Sequence, residues 1–272
     1  MPSLKKIRTR IASVKNTQKI TRAMKLVAAA RLRRAQDNII ALRPYATRLR
    51  RVIAEVAARA DVRAHPLLAR RKPRRAGLVV LTSDRGLCGG FNANINRRTE
   101  RWFREHKAEL EEIRLTVIGR KGRDYLKRRN YEIAREYTGV LGPRSLEAAQ
   151  EIGRIVVGDY GRRNLDAVYL VYNEFKNAAQ QRIVVEQILP VEPIELEDDD
   201  GGFDFKYEPG RKELLDRLLP QSIETEIYRA ILESIASEFG ARMTAMENAT
   251  TNASEMISRL TLEFNRARQA AI

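Results

Sequence analysis

Apolar or small side chains recur at alternating steps of three and four near the start of the chain. They run Leu4, Ile7, Ile11, Val14, then Gln18, Thr21 and Lys25, then Ala28, Leu32, Ala35, Ile39, Leu42, Ala46, Leu49, Ile53 and Val56. This heptad spacing puts one stripe of side chains on a single helix face. A helix of that length extends about 80 Å. Pro44 falls inside it, and its missing N–H predicts a kink or a short break. The polar trio Gln18, Thr21 and Lys25 interrupts the stripe. It reads either as a device that sets register or as a stretch facing something other than a partner helix.

The far end repeats the pattern through Tyr228, Leu232, Ile235, Phe239, Arg242, Met246, Ala249, Ala253, Met256, Leu260, Glu263 and Ala267. Pro220, Gln221 and Ser222 read as the start of that helix, with Leu214, Leu215, Leu218 and Leu219 as an apolar lead-in. Two heptad segments at opposite ends of one chain pair only if the middle turns the chain around. The expected fold is an α/β domain inserted between two long terminal helices that form an antiparallel coiled coil.

The middle changes period. Residues 77–83, 113–119, 131–137, 165–172 and 182–189 read as strands, and 89–110, 121–130 and 145–160 as helices. That alternation predicts a parallel α/β sheet with an antiparallel edge. The expected division is a first coiled-coil helix over 1–58, a basic linker over 59–75, a Rossmann-like foot domain over 76–208 and a second coiled-coil helix over 209–272. An acidic loop over 192–202 lies in the exit region.

Composition supports this picture. Of the 272 residues 43% are hydrophobic, but only 6% are aromatic and 32% are charged, which suits long solvated helices plus one modest globular unit. No stretch approaches the length of a membrane span, so no direct membrane insertion is expected. A structural heptad already begins at Leu4, so the basic start of the chain reads as helix and not as a removed leader. Residues 1–75 hold 22 of the 51 basic side chains but only 3 of the 35 acidic ones. Such a stripe binds a polyanion or faces an acidic protein surface.

Candidate chemistry is sparse. Residues 83–92 form a Gly-rich turn between a strand and a helix, where phosphate-binding loops sit. It lacks both the Lys-Ser/Thr ending of a triphosphate loop and the full pattern of a dinucleotide loop. Asp84, Arg85, Gly86, Cys88, Gly89 and Gly90 are therefore read as a structural turn. Cys88 reads as a small apolar side chain packed there, because its only possible bases are His65, in a linker, and His106, in a polar helix. One cysteine and two histidines also leave little for a disulfide or a zinc site. The paired carboxylates Glu111-Glu112 and Asp198-Asp199-Asp200 lie in solvated loops. No catalytic, cofactor-binding or metal-binding residue is expected. Nucleic-acid binding is not expected either, since single strands need stacking aromatics and Tyr45 is the one aromatic residue in the basic segment.

Several motifs carry a resemblance. They are residues 7–21 (IRTRIASVKNTQKIT) with Ala23-Met24 and Val27-Ala28-Ala29, then Pro44-Tyr45 and His65-Pro66-Leu67-Leu68. The turn over 82–90 follows with Asn92 and Asn94-Ile95, and later come Ser237-Glu238, Ala241-Arg242-Met243, Asn252-Ala253, Asn265 and Ala267-Arg268-Gln269-Ala270. Together they resemble the gamma subunits of F-type ATP synthases, in order and over nearly the whole chain. Members of that family usually continue past the position of Ile272 with a turn opening Thr-x-Glu and a Gly-Ala-rich tip.

The resemblance implies a non-catalytic, rotating central-stalk subunit. It couples proton-driven rotor rotation to conformational cycling of the catalytic subunits during ATP synthesis and hydrolysis. The implied partners are the catalytic beta and non-catalytic alpha subunits of the ring, the epsilon subunit and the membrane ring of c subunits. It places contacts with the catalytic-subunit catch at Arg268 and Gln269, with Met24 beside them. The implied location is peripheral, on the cytoplasmic face of a bacterial inner membrane, or alternatively the matrix side of a mitochondrial one.

Overall fold

A computed structural model describes residues 4–58, 65–178, 180–192 and 210–271. In order, the elements are α1 (Leu4–Ala58), β1 (Arg75–Leu81), α2 (Phe91–His106), β2 (Glu112–Ile118), α3 (Arg120–Lys127), β3 (Ile133–Tyr137), α4 (Ser145–Gly161), β4 (Ala167–Phe175), β5 (Gln181–Leu189) and α5 (Arg211–Ala271). Residues 59–64 of the expected linker and 193–202 of the acidic loop lie outside the described residues.

Every predicted stripe position of α1 is buried or half-buried, from Leu4 to Val56. The helix runs unbroken through Pro44, contrary to the expected break. Proline frees the carbonyl four residues earlier, on Ile40, and both residues are on the exposed side, where water can satisfy that group. Buried Ala46 and Leu49 hold the following turn in place. Pro220 likewise lies inside α5 and does not start it. Leu215 and Leu219, both buried, bind the preceding turns to the core and override the proline signal. Beyond Ala253 the stripe passes through Ile257, Leu260, Phe264 and Ala267, while the predicted Met256 and Glu263 are exposed.

α1 and α5 lie against each other, and their contacts run in opposite chain order. Arg8 stacks over Phe264 at 5.7 Å, the Thr21 and Thr250 hydroxyls are 2.7 Å apart, and Lys25 pairs with Glu247 at 2.5 Å. Arg31 lies over Phe239 at 5.6 Å, and Arg50 Nε donates to Glu226 Oε1 at 2.8 Å. Thr21 and Lys25 of the polar trio thus face the partner helix, which favours the register reading.

The five strands are ordered β3-β2-β1-β4-β5, parallel except for the antiparallel β4–β5 pair. Alternation along β1 feeds two cores. Leu78 and Val80 face α2 and α3 with Phe91, Ile95, Trp102 and Leu126. Val79 and Leu81 face α4 and α5, in a core that also takes in α1 from Leu32 to Val56. The domain and the lower half of the helix pair therefore share one hydrophobic interior, which is the main attraction between them.

Candidate functional site: the turn, the crevice and the helix pair

The Gly-rich turn leaves the end of β1 at the point where strand order reverses, between β1 and β4. In open α/β sheets that crevice is the usual ligand site. Here α5 lies across it. Arg242 Nη2 donates to the Gly86 carbonyl at 3.2 Å, and Ser237 Oγ donates to the Asn173 carbonyl at 3.1 Å, at the end of β4. Arg242 also forms an ion pair with Glu238 at 2.5 Å, with both side chains about nine-tenths buried. Burial pushes the Glu238 carboxyl above its ordinary range, and Arg242 works against that shift.

The turn itself is held by its own side chains. Ser83 N donates to Asn92 Oδ1 at 2.9 Å, Asn92 Nδ2 donates to Ser83 Oγ at 2.8 Å, and Ser83 Oγ donates to the Arg85 carbonyl at 2.6 Å. Asp84 accepts from Arg120 N at 3.0 Å and from Gly139 N at 2.9 Å, tying together the loops after β1, β2 and β3. Gly89 has φ of +54°, which supplies the sharp entry to α2. Cys88 is 2% exposed, and burial raises its thiol pKa, so it is a packed, poorly nucleophilic side chain. The Asp84 carboxylate and the Ser83, Arg85 and Gly86 carbonyls are thus occupied within the chain.

The residues expected at the catch do not all meet. Arg268 and Gln269 are exposed near the end of α5, level with the start of α1. Met24 is half-buried beside the Lys25–Glu247 pair. The 21 residues of α5 between Glu247 and Arg268 separate the two places by about 30 Å. The resemblance implied Met24 beside Arg268; the opposed chain order of the two helices sets them at different levels.

A second cluster escaped the sequence reading. Arg229 of α5 uses all three guanidinium nitrogens: Nε to Glu226 at 2.8 Å, Nη1 to the Tyr172 hydroxyl at 3.1 Å, and Nη2 to Glu186 at 2.7 Å. Tyr172 donates to Glu186 at 2.7 Å, and Arg50 of α1 closes onto Glu226. Burial opposes the Arg229 charge, but Glu226, Tyr172 and Glu186 outweigh it, so the guanidinium pKa stands above its ordinary value. The charged Arg229 inside the mostly apolar run 227–236 was the available signal.

Comparison with known proteins accords with this architecture. A family described as ATP synthase matches residues 3–272. The ATP synthase gamma chain of Anaeromyxobacter sp. (strain Fw109-5) is 54% identical, covering 100% of this chain and 95% of that protein. The ATP synthase gamma chain of Geobacter metallireducens is 51% identical, covering 100% and 94%. Among solved structures, a chain of the Tetrahymena thermophila mitochondrial ATP synthase central stalk and c-ring superposes with a TM-score of 0.64 at 25% identity, covering 85% of this chain and 99% of that one. A chain of the Euglena gracilis mitochondrial ATP synthase rotor shares the fold, with a TM-score of 0.66 at 20% identity and 98% of each chain covered. With a turn closed on itself, a crevice filled by α5 and full-length relatives of one kind, this chain belongs to the ATP synthase gamma-chain family.

Proposed function

We propose that the chain is the turning central shaft of an F-type ATP synthase, with α1 and α5 wound as an antiparallel coiled coil. In this reading residues 1–58 and 209–272 form the shaft, 76–208 the foot and 59–75 the linker between them. The observation that carries it is the length of helix pair standing clear of the domain. The shared core begins on α1 at Leu32, whereas α5 beyond Thr244 meets α1 through Glu247, Thr250 and Phe264. That stretch, from Thr244 to Ala271, is about 40 Å of two-helix rod.

Catalysis then belongs to partner subunits of a surrounding alpha–beta ring. The foot rests on the c-ring with the epsilon subunit, at the cytoplasmic face of a bacterial inner membrane, in keeping with the bacterial relatives. Among the described residues no helix is long and apolar enough to cross a membrane, so the chain joins the membrane through those partners. An asymmetric shaft acts by stabilising each conformation of a catalytic subunit differently as it turns. Closure of that subunit completes its site. The exposed Lys5, Lys6, Arg10, Lys15, Lys19 and Arg22 give α1 a basic outer face. Exposed ion pairs are worth about 0–1 kcal/mol each, so that face attracts acidic ring surfaces without locking to one of them. Arg268 and Gln269 are proposed as the catch contact, and Met24 as a separate contact lower on the shaft.

Co-expression with the ring subunits tests the reading. One copy of this chain per purified ring is expected. Recovery of the chain free of the ring, or in three copies per ring, would overturn it.

A further inference from the structure

A shaft that receives rotation at its foot must resist shear where the foot joins it. The apolar interior shared by α1, α4, α5 and the sheet resists separation, but apolar contact has no preferred direction. Charge-assisted hydrogen bonds do fix orientation.

Along one face of α5, at steps of about one helical turn, directional side-chain hydrogen bonds, charge-assisted at Arg229, all end on the β4–β5 hairpin. Arg229 reaches Tyr172 and Glu186. Glu233 Oε2 accepts from the Phe175 backbone N–H at 2.8 Å. Ser237 donates to the Asn173 carbonyl, and Thr244 Oγ1 donates to the Ala178 carbonyl at 3.3 Å. Gly240 falls between them, where a Cβ would stand 3.3 Å from the Ala178 backbone, so the helix is seated close against the hairpin end. Arg50 brings α1 into the same network through Glu226. The Arg229 and Glu226 side chains are only 21% and 16% exposed, so water competes weakly for these bonds.

We propose that this ladder is the torsional joint of the molecule, through which rotation of the α/β domain passes to both shaft helices. Arg229 is its positioning residue, because its planar fork spans α5, β4 and β5 at once. The inference rests on the reading of the chain as a turning shaft, and deepens it by naming where torque crosses from foot to rod.

The test uses the assembled ring complex, fixed to a surface and arrested by bound nucleotide, with a bead attached through one introduced cysteine. Lys107→Cys places the bead on the domain and Arg48→Cys places it on the shaft; both positions are exposed, and the native Cys88 is buried. With Arg229→Met, the angular variance of the domain-attached bead should rise about twofold, because the fork that fixes orientation is lost. The shaft-attached bead should keep the parent's variance. Arg229→Lys, which keeps charge without the fork, should fall between parent and Arg229→Met.

Should Arg229→Met fail to assemble, Tyr172→Phe with Ser237→Ala carries the same expectation at smaller cost to packing. Unchanged variance at the domain, or an equal rise at both attachment points, would overturn the joint while leaving the shaft reading intact. A parent complex whose shaft-attached bead does not turn on adding ATP would instead overturn both.

Discussion

The hydroxyl oxygens of Thr21 on α1 and Thr250 on α5 lie 2.7 Å apart, although the residues are 229 positions apart in the chain. With the Lys25–Glu247 ion pair at 2.5 Å, this contact fixes the register of the two helices where they stand clear of the domain. Thr21→Cys with Thr250→Cys should therefore form an internal disulfide on mild oxidation. Closing so long a loop restricts the unfolded chain by up to ~5 kcal/mol. The expected outcome is a faster-migrating species on non-reducing gels and a higher melting temperature that reductant reverses. Absence of the cross-link would contradict the helix register.

Glu233 should give stability a particular pH dependence. Burial raises its carboxyl above the ordinary 4.5, against the opposing pull of the Phe175 N–H and Arg229. The folded state then holds this proton to higher pH than the unfolded chain does. Stability is greatest below pH 4.5 as far as this group is concerned, and falls as pH rises from there through the raised pKa. Glu233→Gln keeps an oxygen acceptor for Phe175 and removes the titration. Denaturant melts across that window should show a flatter pH profile for Glu233→Gln than for the parent.

Two glycines should respond differently to a single added carbon. At Gly122 a Cβ would stand 2.6 Å from Thr82 Oγ1, at the end of a side chain. At Gly119 it would stand 2.1 Å from the Thr82 backbone oxygen, with φ already at +97°. Gly122→Ala should cost about 1–3 kcal/mol, the range for overpacking. Gly119→Ala should cost more, since backbone cannot move aside and the conformation itself disfavours a side chain. Chemical denaturation should rank the variants in that order.

Arg268→Ala with Gln269→Ala should lower ATP synthesis in energised membranes more than it lowers recovery of the assembled complex. Both side chains are exposed near the end of α5, so their loss leaves the core untouched. Met24→Ala, about 30 Å away by helix rise, should act independently, so that the triple variant shows the product of the separate effects. Equal synthesis rates in variant and parent membranes would remove the catch assignment.

The chain's own pattern of polar and apolar residues determined that both ends are long helices and that the middle is an α/β sheet with an antiparallel edge. Periodicity records which face of each element leaves water, and in α1 every stripe position from Leu4 to Val56 is buried or half-buried. It also showed that the turn at residues 83–92 lacks the residues of a nucleotide loop. What it does not record is the object against which a face is buried. Pro44 and Pro220 carry a local helix-breaking signal that packing of Ala46, Leu49, Leu215 and Leu219 overrides. The stripe beyond Ala253 shifts by one residue: Ile257 and Phe264 are half-buried, Phe264 under Arg8 of α1, while Met256 and Glu263 are exposed. The bonds from Arg229 to Tyr172 and Glu186 cross 57 and 43 residues of chain, and α5 fills the crevice that an open sheet would leave for a ligand. Only the tertiary structure decided those contacts, because they depend on positions in space that no local spacing encodes.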